Sequence, residues 1–143
     1  METFGVVFVT AWIVSKNDVE HLPQGKELCA YGIDGILMEI PQRLMMQSFV
    51  WHLLAEYNRS NALYIGILIN ALIWCMSILI QNFIFKIRFH VGVLRDLAAS
   101  AFFSVGIGYM LGKTLFILYP MAAHFLERIL STLLRKKRCK EIR

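Results

Sequence analysis

The chain has little of the charge and proline that soluble domains carry. Charged residues make up 17% of the 143 residues, against about 25% in soluble proteins, and there are three prolines. The apolar fraction is 57%, above the roughly 45–50% of soluble chains. This composition is typical of a membrane protein.

Cysteine is also scarce, and its spacing excludes two common uses. Cys29, Cys75 and Cys139 are far apart, with no C-x-x-C pair and no neighbouring histidine pair. This is neither the pattern of a zinc site nor that of a disulfide framework. No Ser-His-Asp, Cys-His or paired-carboxylate arrangement is evident either. We therefore predict a protein that is not an enzyme and that holds no metal or cofactor.

The net charge of +5 is concentrated at one end of the chain. Residues 127–143 contain seven basic and two acidic side chains, so this segment alone carries +5. A basic segment beside a hydrophobic one is usually a topology and headgroup signal, and no nucleic-acid-binding motif accompanies it. We predict that the segment binds anionic lipid headgroups or an acidic partner, not nucleic acid, through Arg135, Lys136, Lys137, Arg138 and Lys140.

Two long apolar runs define the predicted fold. Residues 61–85 carry no formal charge, and residues 97–123 carry one, on Lys113. At 1.5 Å per residue, each run is longer than the ~30 Å hydrocarbon core of a bilayer. We predict an all-α integral membrane protein of a bacterial inner membrane or an organelle. Its two spans form a transmembrane hairpin over residues 61–125, flanked by amphipathic or interfacial helices.

The flanking regions are predicted to associate with the membrane. In the N-terminal region 1–60, the apolar run 4–14 is too short to cross a bilayer as a helix. A β-strand, a half-inserted anchor and a short helix packed on the other elements stay open; we favour a helix at the interface. A polar loop follows at 15–32. Pro41 then begins an amphipathic helix that covers a membrane surface, a partner groove or the protein's own hydrophobic surface. Residues 126–143 form a basic amphipathic tail.

The distribution of basic residues predicts the topology of a two-span hairpin. The side that holds both termini has eleven basic residues, and the loop between the spans has three. Because cytoplasmic segments carry the excess of Lys and Arg, we predict both termini in the cytoplasm or its organellar equivalent.

The segment GIGYMLGKT, residues 106–114, has the letters of a phosphate-binding loop but the wrong register. The pattern G-x-x-x-x-G-K-[ST] requires a glycine five residues before Gly112, where the chain has Ile107. No strand–loop–helix pattern surrounds it. We predict no nucleotide site.

A ridge of small residues is the stronger feature of the same region. Ser100, Ser104, Gly108 and Gly112 recur every four residues along one face of the second span. We call them the small-residue ridge. Such ridges let helices approach closely in lipid. Two interpretations stay open: the ridge packs the protein's own hairpin, or it docks another membrane subunit.

The first span carries a matching polar stripe, formed by Gly66, Asn70, Ser77 and Gln81. We expect Gly66 to take part in helix packing. If the midpoints of the two spans face each other, Asn70 lies at the depth of Lys113 and is its predicted partner. A lysine within a span is a functional candidate. Three interpretations of Lys113 stay open: it snorkels to the headgroups, it pairs with an acidic residue of another protein, or it lines a polar path.

The ridge and the intramembrane lysine together predict a small non-catalytic accessory or assembly subunit that docks a larger membrane complex. One alternative is a homo-oligomeric channel or holin-like permeability factor. Another is a membrane immunity or exclusion protein that recognises an incoming toxin or transfer machine. The predicted partners are other integral membrane subunits or further copies of the chain, together with anionic lipid.

Overall fold

The computed structural model describes residues 2–17, 22–23, 25–57, 61–85 and 90–141. Within these ranges all regular structure is helical and no strand occurs, so the all-helical prediction is confirmed for them. A π-helical segment, Ile40–Gln47, lies between the second and third α-helices. The α-helices are α1 (Glu2–Ser15), α2 (Lys26–Glu39), α3 (Ser48–Tyr57), α4 (Ala62–Ile84), α5 (Val91–Thr114) and α6 (Leu118–Glu141).

Helix α2, the π-helical segment and α3 form one continuous helix over residues 26–57, which we call the long helix. Its backbone stays helical at both junctions, with φ −62° and ψ −60° at Ile40 and φ −67° and ψ −38° at Ser48. Pro41 sits in the first turn of the π-helical segment. The prediction that the helix begins at Pro41 is therefore wrong, because it begins at Lys26.

The predicted polar loop at 15–32 is also too long, because α2 already begins at Lys26. Two glycines of this segment lie just before α2 or within it. Gly25 precedes α2 with φ 52°, a conformation that favours glycine. Gly32 lies within α2, where it allows α6 to come close: a Cβ there would stand 2.5 Å from the Phe125 ring. Glycine in this segment thus serves close helix packing as well as a turn.

Helix α5 packs on α1, α4 and α6 and is antiparallel to α4. A Cβ on Gly108 would meet Ile67, and a Cβ on Gly112 would meet Leu63, so the numbers of facing residues sum to about 175. Two candidate spans are confirmed by length and composition: α4 has mean hydropathy 2.3 and α5 has 1.4.

The second candidate span begins and ends earlier than predicted. Helix α5 runs from Val91 to Thr114, and Leu115 then adopts a left-handed conformation with φ 54°. Non-glycine residues rarely adopt this conformation, and here it turns the chain. The predicted span 97–123 is therefore wrong at both ends. Helix α6 does not continue outward from α5 but folds back along it.

The remaining helical segments also lie along α5. Helix α1 is antiparallel to α5: Val6 packs beside Gly106, and Asn17 bonds the Gly92 carbonyl. Helix α6 is antiparallel as well, since the His124 ring packs on Phe103 and Arg135 shares a cavity with Gly92. The run 4–14 is thus the short helix packed on other elements, one of the three open interpretations.

The long helix is parallel to α5. Its residue Arg43 donates to the Ser104 carbonyl, and Gln47 donates to the Gly108 carbonyl, four residues further along both helices. Within the described residues, the bundle therefore contains five side-by-side passes of the chain: α1, the long helix, α4, α5 and α6.

Candidate functional site

A fully buried guanidinium lies at the centre of the bundle. Arg43 and Glu39 are both 0% exposed, and Arg43 Nε lies 3.1 Å from Glu39 Oε2. Arg43 Nη1 donates to Gln47 Oε1 at 3.0 Å and to the Ser104 carbonyl at 3.1 Å. An arginine side chain stays protonated in proteins, so its burial requires a carboxylate and several acceptors. The structure supplies the carboxylate at Nε and acceptors at Nη1, whereas Nη2 has no hydrogen-bond partner among the described residues.

The spacing along the long helix explains this arrangement. Glu39, Arg43 and Gln47 follow one another every four residues, so they lie on one helical face and contact each other. The opposite face is apolar and exposed, with Leu37, Leu44 and Phe49 among its residues. The sequence shows that two such faces exist. It does not show that the polar face is the one that turns inward.

His124 and Asn70 extend the buried network to two further helices. His124 Nδ1 lies 2.7 Å from Glu39 Oε1, and because the paired carboxylate accepts, Nδ1 carries the proton. In the amide orientation that satisfies both of its neighbours, Asn70 accepts from Arg43 Nη1 at 2.9 Å and donates to the Gln42 carbonyl. Gln42 Nε2 in turn donates to Ser104 Oγ at 3.2 Å. We call these residues the polar core: Glu39, Gln42, Arg43, Gln47, Asn70, Ser104 and His124.

Much of the small-residue ridge faces the protein's own helices. Ser104 is 1% exposed and bonds the polar core. A Cβ on Gly108 would lie 3.1 Å from Arg43 Nη1 and Gln47 Oε1. Gly112 faces Leu63. These ridge residues therefore pack against the protein's own helices, as the first of the two interpretations has it. Ser104 and Gly108 offer no free surface to another subunit.

The polar stripe of the first span is divided between packing and polar contacts. Gly66 packs against the Trp51 backbone, and Asn70 belongs to the polar core. Ser77 is half-buried, and Gln81 lines a cavity near the end of α4. Gly66 and Asn70 of the stripe thus face the interior of the bundle, whereas Ser77 and Gln81 are only partly covered or exposed.

The predicted pairing of Asn70 with Lys113 is wrong, because the hairpin has a different register. Facing residues that sum to about 175 place Asn70 beside Ser104, nine residues before Lys113, or about 13 Å along the helix axis. The Lys113 side chain is exposed, with Nζ 4.6 Å from the centre of the Tyr109 ring. All three interpretations of Lys113, snorkelling, pairing with another protein and lining a polar path, stay predictions.

The basic segment lies at the end of the bundle where α1 and α6 finish. Arg135 donates to the Val14 carbonyl from Nε at 3.2 Å and from Nη2 at 2.7 Å, which ties α6 to α1. Lys136 and Lys137 are exposed and Arg138 is half-buried. The side chain of Lys140 lies outside the described residues. Headgroup binding by this segment stays a prediction.

A cavity of about 350 Å³ adjoins the polar core, and all five passes of the chain line it. We call it the central cavity. Two of its buried acceptor atoms, Thr10 Oγ1 and Glu127 Oε1, have no hydrogen-bond partner within the described part of the chain. Asp96 also lines it and accepts a hydrogen bond from Asn17 Nδ2. Buried polar groups are normally partnered, so these two acceptors need an explanation.

Sequence reasoning missed the central cavity, because its walls come from segments far apart in the chain. Glu127 lay within the predicted amphipathic tail, and Thr10 lay inside an apolar run. The sequence signal that could have indicated the cavity was the polar residues, such as Thr10 and Glu127, within otherwise apolar segments. Comparisons with protein-family models, with curated proteins and with solved structures find no significant match.

Proposed function

We propose that this chain is an integral membrane protein that binds a small polar solute in the central cavity and passes it through the bilayer. The observation that carries the proposal is a charged interior with unpartnered buried acceptors inside a bundle whose outer surface is apolar. A soluble protein has the reverse arrangement, with its charged side chains mostly on the surface and its large apolar side chains mostly inside.

The apolar exterior supports the membrane location. In the most apolar windows of α4 and α5, only 22% and 33% of the residues are buried, whereas the core helix of a soluble protein is mostly buried. Large contiguous apolar surfaces mark contacts with lipid or with other proteins. The exposed apolar side chains occur on several passes and include Phe4, Phe8, Trp12, Leu37, Phe49, Leu68, Leu72, Met76 and Phe83.

The helix directions support a revised topology. Because five passes lie side by side, the first and last described residues stand at opposite ends of the bundle. We therefore replace the predicted same-side termini with termini on opposite sides of the membrane. Helix α1 has 14 residues, so it covers only part of the bilayer depth.

The basic residues fit this five-pass arrangement. Among the described side chains, Lys113 is the cation at the end where α5 finishes. At the other end lie Lys16, Lys26, Arg95, Arg135, Lys136, Lys137 and Arg138. The positive-inside rule then assigns that second end to the cytoplasm.

A single chain can enclose this polar interior. A two-span hairpin would need several copies to form a polar path, but here five passes of one chain line the central cavity. Solute-binding sites are commonly placed between helices of a bundle and near the middle of the membrane. The predicted permeability function therefore gains support without any oligomer.

Liposome reconstitution tests the proposal. Purified protein in liposomes should take up at least one of three solutes, methylamine, glycerol or rubidium, faster than protein-free liposomes. Ser100→Trp should block this uptake, because Ser100 lines the central cavity and the indole fills it. Phe83→Trp is the matched control, since Phe83 is exposed on α4. Uptake equal to that of protein-free liposomes for all three solutes would refute the proposal.

The accessory-subunit function stays a second proposal with weaker support. It was predicted from the small-residue ridge, and that ridge is largely occupied by the protein's own helices. A docking role would have to use another surface. Photocrosslinking in native membranes from residue 83, which is exposed, would detect such a partner.

A further inference from the structure

The two unpartnered acceptors of the central cavity point to a ligand that donates hydrogen bonds. Glu127 is 6% exposed and Thr10 is 4% exposed, and both line the cavity. Neither Glu127 Oε1 nor Thr10 Oγ1 receives a hydrogen bond from any residue that the structure describes. A donor bound between them would replace the water that these oxygens lose on burial.

The charges on the cavity wall favour a cation as that ligand. Asp96 and Glu127 are acidic, and Arg128 is the basic residue of the wall as described. The Arg128 guanidinium is directed elsewhere: it lies 4.3 Å from the centre of the Tyr31 ring and 4.0 Å from Asp34. His124 is engaged by Glu39. Arg135 lies within electrostatic reach of both Asp96 and Glu127. Asp34, Asp96 and Glu127 still outnumber Arg128 and Arg135 by one charge, which a monovalent cation would balance.

The composition of the wall favours an organic cation over a divalent or transition-metal ion. Among the described residues, no three His, Cys, Asp or Glu side chains lie close enough together to hold a metal. The wall instead carries the aromatic rings of Tyr31, Trp74 and Phe103. Aromatic faces attract ammonium groups and bind apolar bodies. The volume of about 350 Å³ lies within the range of small-molecule sites, roughly 300–1,000 Å³.

We infer that the central cavity binds a small organic cation, a primary or secondary amine with an apolar body. The ammonium group lies against Glu127 and Thr10, and the apolar body lies against Trp74 and Phe103. This inference rests on the proposed function and names the class of its solute.

Binding measurements in lipid nanodiscs test the inference. The probes are 2-phenylethylamine, the neutral 2-phenylethanol and the anionic phenylacetate, which share one apolar body and differ in charge. Calorimetry should show that the amine binds at least tenfold more tightly than either of the others. Glu127→Gln keeps the shape of the side chain and removes its charge, so it should weaken amine binding at least tenfold. Glu56→Gln, at an exposed carboxylate of α3, should leave it unchanged.

A second variant tests the same site in case Glu127→Gln fails to fold. Thr10→Val keeps the volume and removes the hydroxyl acceptor, so amine binding should fall several-fold while binding of 2-phenylethanol stays constant. Circular dichroism of each variant confirms its helical content.

The outcomes separate this inference from the proposed function. Equal binding of amine and alcohol, or wild-type amine binding by both Glu127→Gln and Thr10→Val, overturns the inference. If uptake that is sensitive to Ser100→Trp persists in that case, the proposed function stands with another solute. If no uptake occurs for any solute in that case, the proposed function is overturned too, whereas selective amine binding without uptake overturns the proposed function alone.

Discussion

Separating the buried ion pair of the polar core should destabilise the protein strongly. Glu39 and Arg43 are 0% exposed, and Glu39 accepts from Arg43 at 3.1 Å and from His124 at 2.7 Å. Removing one partner of a buried pair costs about 3–5 kcal/mol, because the other charge stays buried without compensation. We expect Glu39→Gln to lower the free energy of unfolding by about 3 kcal/mol.

The reciprocal change should cost at least as much. Arg43→Met leaves the Glu39 carboxylate unpaired, and it also removes donors from Gln47, Asn70 and the Ser104 carbonyl. Each buried acceptor left without a donor adds about 1–3 kcal/mol. The double variant Glu39→Gln/Arg43→Met contains no isolated charge. Its loss should therefore be smaller than the sum of the two single losses by about 2 kcal/mol or more.

Reversible unfolding in mixed micelles measures these differences. The mole fraction of denaturing detergent is raised while circular dichroism reports helix content, for the wild type, both single variants and the double variant. Glu56→Gln is the control, because it removes an exposed carboxylate from the same long helix and should change the free energy by less than about 0.5 kcal/mol. Single losses below 1 kcal/mol, or a double loss equal to the sum of the singles, would refute the reasoning.

Three further predictions concern packing, topology and the exposed lysine. Gly108→Val should destabilise the protein by about 1–3 kcal/mol, because even its Cβ stands 3.1 Å from Arg43 Nη1. Gly5→Val, where a Cβ meets nothing within 4 Å, should cost much less in the same detergent titration. In a chain without the other native cysteines, Phe85→Cys and Cys139 should react with an impermeant maleimide from the same side of the membrane. The two-span topology predicts labelling from opposite sides. Lys113→Met should leave the unfolding free energy within about 0.5 kcal/mol of wild type, since its side chain is exposed. A larger loss would show that Lys113 has a structural role.

Several features of the fold follow from local sequence alone. Apolar runs of sufficient length predicted two candidate spans, and the structure has α4 and α5 there. Spacing by four predicted that Ser104 and Gly108 lie on one helical face. These features depend on helix geometry and on the length of apolar segments, which are properties of neighbouring residues. For the same reason the spacing of Ile107 and Gly112 by itself indicates that residues 106–114 are not a phosphate-binding loop.

The position of α6 was decided by tertiary structure. The apolar sequence continues past Thr114 without a break, so its composition predicted one long span. The left-handed turn at Leu115 instead lets α6 return along α5 and pack on α1 and α2. The contacts that stabilise this return join residues far apart in the chain, such as Phe103 with His124.

The orientation of the helix faces was also decided by tertiary structure. An amphipathic pattern in the long helix shows that Arg43 and Gln47 share a face, but the same pattern serves a surface helix in water and a lipid-facing helix with a polar interior. Glu39, Asn70 and His124 come from three separate helices, and only their convergence makes a buried guanidinium stable. The sequence by itself therefore determined where the two long apolar helices lie and which residues share a face. The tertiary structure determined which face is inside, because that depends on partners distant in sequence.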